Sequence, residues 1–408
     1  MHVKTRDPID SSEATKLVDI CNLISWEESI SGFLLAGWIF SSIICGVLPW
    51  RSHIYLTGPV GAGKTWVIEN LINRCLRGIG LTVQGSSTEA ALRHTMKGDA
   101  RPVLFDEGEA DTRENAARMQ RIFGLARQAS SEGAAPIIKG TQNQTGALEY
   151  IFRSCFVFAS IQPSMIHYAD ESRITLLRLA IPYGGGGERF QKLLNARNRI
   201  LTDSFCDGLI SRAVLMAPII RHNHWIFAEA GEEKFGNRRA ADQFAMMLAG
   251  LYSLMNDRKL QDHEDAKEFI LRHDWEGRLK ERPIPSEVTL LETILQTEVL
   301  IESGNARKML GELVASEIYN SNGRYQEQDV LRRHGLKVVG DTLHIANRCV
   351  GLSKILKDTP WSSKWNQTLI NTLGAEKSKA GEFFAAGIQS RSVIIPMPES
   401  LREVDDVE

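Results

Sequence analysis

The sequence is short of several things that would assign it a class at once. Its six cysteines (Cys21, Cys45, Cys75, Cys155, Cys206 and Cys349) include no C-x-x-C pair. That argues against a zinc ribbon or a disulfide framework and makes a reducing cytosol the natural compartment. Neither charge dominates: 48 Lys plus Arg face 50 Asp plus Glu, a net charge of −2. Bulk basicity therefore announces no nucleic-acid partner. The first ten residues hold His2, Lys4, Arg6, Asp7 and Asp10 and no apolar run, so no signal peptide is expected. His167, His222 and His224 lack metal-ligand spacing, and no internal repeat is visible. One charge-free stretch, Ser29–Trp50, has the length of a membrane span. Ser31, Ser41, Ser42, Gly32, Gly37, Gly46 and Pro49 dilute it, and it runs straight into a β-rich segment. It reads as a buried helix, and no membrane partner is expected.

What is present is an ordinary globular composition. Of 408 residues, 43% are apolar and 24% charged, which excludes a disordered or collagen-like chain and allows two or three domains. Residues 1–50 read as an N-terminal helical region of two helices. Residues 51–183 alternate short β-rich runs with helical patterns, the sign of a parallel α/β sheet. The runs are His53–Thr57, Leu81–Gln84, Val103–Asp106, Ile137–Gly140, Phe156–Ser160 and Ile174–Ile181. Met119, Ile122, Phe123 and Ala126 follow helical spacing between the third and fourth. The glycines Gly184–Gly187 predict a flexible joint, and within the segment 184–282 residues 188–280 read as helical throughout. Residues 283–398 begin with more helix, through 335, then turn to short strands around a helix, Thr342–Ala346, Trp361–Leu373, Phe383–Ala385 and Ser392–Ile395. That order suits a winged-helix-like domain. Residues 399–408 form an acidic tail.

Gly58-Pro59-Val60-Gly61-Ala62-Gly63-Lys64-Thr65 matches G-x-x-x-x-G-K-[ST] in full. The glycines let backbone N–H groups turn toward phosphate oxygens, and the helix that follows points its positive end at the same anion. Lys64 supplies a compact charge for the β- and γ-phosphates, and the Thr65 hydroxyl is a hard ligand for Mg²⁺. The flanks agree: a strand at His53–Thr57, then a helix burying Val67, Ile68, Leu71, Ile72 and Cys75. The second signal is Pro102–Glu107, an apolar run ending in Asp106 and Glu107. Behind a phosphate loop, Asp106 is placed to hold Mg²⁺ and Glu107 to take a proton from the attacking water. The implied cofactors are ATP and Mg²⁺.

With both motifs in hand, the chain resembles the AAA+ class of P-loop ATPases. More narrowly, it is similar to the superfamily 3-like helicase module of phage and plasmid primase–helicases. Phe33–Trp50, the two nucleotide motifs, Ala126–Glu132, Asp170–Ile174 and Asp341–Pro396 carry the likeness. The resemblance implies an AAA+ core with flanking helices, a helical lid, and a ring, hexameric by analogy, moving along one DNA strand in the host bacterium's cytosol. A polar residue after strand Phe156–Ser160 would sense the γ-phosphate, either Ser160 or Gln162, where the family usually has Asn. An arginine after that strand would reach the neighbouring subunit's site. Arg173 fits this place, with Arg153 and Arg127 as rivals and a surface ion pair with Asp170 or Glu171 as the plain alternative. A lid arginine would be Arg238 or Arg239. Ile137–Gly140 and Ala147–Phe152 flank a polar tip and read as a hairpin. The resemblance makes it a pore hairpin in which Lys139, Gln142 and Asn143 touch DNA, against a purely structural hairpin. Trp361 and Trp365 read as a packed face, and Lys354, Lys357, Lys364, Lys377 and Lys379 as either a DNA-facing side or ordinary solvated surface. No primase zinc ribbon or acidic cluster is evident, so a primase would be a separate chain. Two other functions fit the same motifs: a remodelling ATPase acting on protein, and an ATP-switched DNA-binding initiator or loader that does not unwind.

Overall fold

The computed structural model describes residues 6–106, 112–140, 147–165, 168–181, 186–280, 286–301, 306–319, 325–357, 359–362 and 364–401. Glu107, Gln142, Asn143, His167 and the last seven residues of the acidic tail lie outside the described residues. The chain divides into two compact units, Met1–Pro283 and Ile284–Glu408.

The first unit is a mixed α/β fold around a central five-stranded parallel sheet. In chain order its β elements are β1 (His53–Thr57), β2 (Leu81–Val83), β3 (Val103–Phe105), the hairpin strands β4 (Ile137–Gly140) and β5 (Ala147–Tyr150), β6 (Phe156–Ala159) and β7 (Ile174–Arg178). The sheet order is β2-β3-β6-β1-β7, every pair parallel. All five residues of β1 and all four of β6 are buried, the pattern of strands covered on both faces. The expected strand Ile174–Ile181 stops at Arg178. Beyond it Leu179 bridges antiparallel to Trp26, and the Ala180 N–H donates to Ser25 O at 2.9 Å. The β4–β5 hairpin pairs antiparallel as its own two-stranded sheet.

Helices Ile30–Ser42 and Arg238–Met255 cross at Gly37 and Gly250, where a Cβ on either would collide with the other's backbone. Ser41 Oγ adds a 3.0 Å bond to Met246 O. The charge-free run is thus core: Leu34, Leu35, Trp38, Ile39 and Phe40 are fully buried. No described helix is long and apolar enough to cross a membrane. Gly186 and Gly187 open helix Gly186–Ile200, so half of the expected glycine joint is helical. Long helices follow at Asp203–Ala230 and Arg238–Met255, capped by Thr202 and Asn237 through bonds to Phe205 N and Ala240 N.

The second unit has its own core, including Leu290, Leu310, Val314, Leu331, Leu343 and Ile395. Residues 287–335 are not all helix, as the sequence suggests: a hairpin, Glu298–Ile301 with Ala306–Met309, interrupts them. Its buried–exposed alternation at Glu298–Ile301 marks a half-buried strand. Helices Leu310–Tyr319 and Tyr325–Arg333 then lead into a four-stranded antiparallel sheet ordered Leu336–Val339, Thr342–Ala346, Ser392–Pro396, Glu376–Lys377.

Candidate functional site

The loop Gly58–Thr65 leaves the C-terminal end of β1, a fully buried strand between β6 and β7. Gly58, Gly61 and Gly63 all take positive φ (146°, 82° and 92°), and a Cβ at Gly58 would stand 2.5 Å from Leu179 O. Only glycine accepts that backbone in that space. Gly63 caps helix Lys64–Val67, which continues through a π-helical turn, Ile68–Ile72, to Asn73–Cys75. Val67, Ile68, Leu71, Ile72 and Cys75 bury its inner face. The Lys64 ammonium folds back and donates to Gly58 O at 2.7 Å and Pro59 O at 3.0 Å. It is therefore centred on the loop it would use to hold an anion.

Asp106 follows β3, half-buried, with its N–H directed to Val83 O at 3.4 Å. Strand β6 lies between β1 and β3, so the end of β6 sits between the loop and the acid. That end carries Ser160 and Gln162. The Ser160 hydroxyl donates to Gln162 O at 2.5 Å and lies 2.7 Å from the Tyr55 hydroxyl, and it is 3% exposed. Its only proton is committed inside the fold, whereas the Gln162 side chain is exposed. Of the two sensor candidates, the geometry leaves Gln162 as the one with hydrogens to offer. Thr65 is exposed at the start of the helix, and Thr65 and Asp106 are both hard oxygen donors. One hydroxyl and one carboxylate beside a phosphate suit Mg²⁺, which keeps several waters and takes few protein ligands. Among the described residues no cluster of three acidic, Cys or His side chains competes as a metal site.

A cavity of about 280 Å³ opens beside the loop. Gly61, Ala62 and Gly63 form one wall, and Leu23, Ile24, Trp66, Leu179, Ile181 and Phe190 give it an apolar lining. Trp66 and Phe190 meet edge-on at 5.6 Å. Arg189 closes the cavity, donating to Leu23 O at 3.0 Å and Ile24 O at 3.1 Å. Sequence reasoning missed this pocket. Its walls come from four separate segments, and Arg189 reads in isolation as one charged residue of an amphipathic helix.

The predicted arginines gather at the other end of the sheet. Arg173 immediately precedes β7, and its carbonyl accepts from His53 N–H at 3.3 Å. Since Thr57 pairs with Arg178, Arg173 stands about 16 Å below its own loop at 3.3 Å per residue. Its guanidinium donates to Ala169 O at 2.9 Å. Burial pulls its pKa below the usual arginine range, the neighbouring charges of Arg239 and Arg127 pull further, and Asp170 opposes them. Arg127 is 2.7 Å from the fully buried Asp170. Arg239, one of the two lid candidates, is found at this same end of the sheet. It opens helix Arg238–Met255, which runs past the starts of β1 and β7, Gln243 bonding Thr175 and Ser52, and it lies beside Arg173 rather than beside the phosphate loop. Among the described residues, helix Gly186–Ile200 brings the cation Arg189 to the cavity beside the loop. Lys139 lies on β4, its backbone paired with Leu148.

No family model matches the sequence, and no curated protein does. Solved structures do. The chain is similar to an SCCmec type IV Cch active helicase, with a TM-score of 0.51 and 11% identity over 96% of this chain and 71% of that one. The apo C-terminal region of NrS-1 aligns over 97% of this chain and 77% of its own, at a TM-score of 0.34 and 9% identity. A JCV helicase aligns over 70% and 64%, at 0.26 and 10%. The first of these shows that the chain shares the α/β fold of that protein.

Proposed function

We propose that the chain is an ATP-dependent DNA helicase or translocase of phage or mobile-element replication, working as a ring with ATP hydrolysed between subunits. One observation carries the reading. A complete Gly58–Thr65 loop ends β1, and Asp106 ends β3, the strand two places away, with β6 between them. The fold shared with a solved active helicase is consistent with that reading.

In this reading the loop amides and Lys64 bind the β- and γ-phosphates, Lys64 exchanging the Gly58 and Pro59 carbonyls for phosphate oxygens. The apolar cavity with Trp66 and Phe190 takes the base. Thr65 and Asp106 would hold Mg²⁺, which supplies charge neutralisation on the phosphates. Glu107, next in sequence, accepts the proton of the attacking water. Gln162 donates toward the γ-phosphate, and Ser160 positions it through the Gln162 carbonyl. Arg173, with Arg239 beside it, serves the site of the neighbouring subunit, because it stands too far from its own loop to serve that one. The hairpin residues Lys139, Gln142 and Asn143 contact DNA in the pore. A helical lid (184–282) and a winged-helix-like C-terminal module, with a separate chain as primase, complete the scheme.

Strand separation on forked DNA with ATP and Mg²⁺ tests it. The wild type should unwind the fork and the Lys64→Ala variant should not. DNA-stimulated ATP hydrolysis without unwinding would reduce the claim to translocation. Hydrolysis indifferent to DNA would favour a remodelling ATPase that acts on protein.

A further inference from the structure

The C-terminal unit carries a surface for which the nucleotide site has no use. Strand Glu382–Ala385 pairs antiparallel with Ile388–Ser390, placing Phe383 opposite Gln389. Phe384 and Ala385 turn into the core, at 1% and 6% exposure, while Phe383 is 64% exposed. Its cross-strand neighbour, Gln389, is an amide.

The hairpin is firmly rooted. Ser392 Oγ donates to Glu382 Oε1 at 2.7 Å, and His344 Nδ1 lies 2.6 Å from Glu382 Oε2. The Arg348 N–H donates to Ser390 Oγ at 3.0 Å, and the Asn347 N–H to Arg391 O at 2.7 Å. These bonds bring the exposed Arg348 and Arg391 together at the hairpin's base, and exposed Lys379 lies in the loop leading into it. Among the described residues none of the three makes an ion pair. Of the two acids three residues from Lys379, Glu376 and Glu382, the second is already engaged: burial raises its pKa, but Ser392 and His344 outweigh that and hold it below the usual carboxylate range. Elsewhere in the chain arginines are commonly paired, Arg74 with Asp203 and Arg221 with Glu132. Residues 341–398 hold seven Lys plus Arg against four Asp plus Glu in a chain of net charge −2.

We propose that this hairpin face binds single-stranded nucleic acid, Phe383 stacking on a base while Arg348, Arg391 and Lys379 hold backbone phosphates. A stacked base needs only the face of one ring, and the phosphates beside it need cations that no carboxylate has neutralised. An apolar peptide side chain would favour apolar neighbours beside the ring, whereas the residue across the hairpin from it is the polar Gln389. The proposal stands whether or not the nucleotide reading does, because it requires no ATP.

Binding of the full-length chain to a fluorescent oligothymidine of about 15 nucleotides, without nucleotide and across a salt series, tests it. Phe383→Ala, a change at an exposed position, should weaken binding on the order of tenfold at unchanged thermal stability. The Arg348→Ala/Arg391→Ala pair should reduce the salt slope by about 1.4, two phosphates at 0.7 each. Crosslinks from a bromouracil-containing oligonucleotide should map to the Phe383 peptide, which separates this surface from the β4–β5 hairpin. Wild-type affinity in the Phe383 variant, or crosslinks that fall only elsewhere, would overturn the proposal. So would binding of polyglutamate but not of the oligonucleotide, which would mark an acidic protein as the occupant.

Discussion

His53 and His224 are polar residues in places where a charge is not tolerated. His53 Nε2 donates to Ala126 O at 2.7 Å and its Nδ1 accepts the Phe156 N–H at 3.1 Å, which fixes a neutral ring. Burial, with smaller help from Arg51 and Arg173, depresses its pKa from 6.5 to about 3. His224 is lowered to about 3 in the same way, burial first and then Arg238 and Arg221. The unfolded chain takes up protons on both below its ordinary value, whereas the native chain refuses them until near the lower one. Their contribution is therefore full above about pH 6.5 and is lost as pH falls toward 3. Urea midpoints should drop between about pH 7 and pH 5, and less steeply in His53→Gln; a flat profile would contradict this. The phosphate loop was readable at the residue scale because its requirements are local, glycines of positive φ next to a lysine. The assignment between Ser160 and Gln162 was not, since it turns on a hydroxyl of Tyr55 more than a hundred residues away.

At the scale of elements, the sharpest constraint is the contact of helices Ile30–Ser42 and Arg238–Met255. Gly37→Ala would press a methyl into the Met247 carbonyl, and backbone rather than a flexible side chain must give way. A loss of about 1–3 kcal/mol is expected, seen as a lower melting temperature, and an unchanged melting temperature would show that the helices separate easily. The charge-free run was legible as core, because it carries no charge and is broken by serine and glycine. Gly37's particular duty was not, because its partner lies two hundred residues on. The strands of the sheet were legible from apolar runs bounded by turns. The hairpin Glu298–Ile301/Ala306–Met309 was not, since four-residue strands between helical patterns leave too short a period to separate from helix.

For the molecule as a whole, strand order could not be read from sequence, and that order is what places β6 between the loop and Asp106. The parallel register of β1 and β7 puts Arg173, with Arg239 beside it, at the far end of the sheet from the loop, and the proposed role of Arg173 therefore calls for a second subunit. Lys64→Ala and Arg173→Ala should each abolish most ATP turnover, and mixing them should restore part of it, since one interface then joins an intact loop to an intact arginine. Absence of rescue at every ratio would place Arg173 in a purely structural role beside Asp170. The claim beneath all of this is that Gly58–Thr65 holds a triphosphate. Titration of a fluorescent ATP analogue with Mg²⁺ into the wild type and Lys64→Ala measures it directly: saturable binding that the substitution removes is the expected result, and equal binding by both, or none by either, would contradict the account.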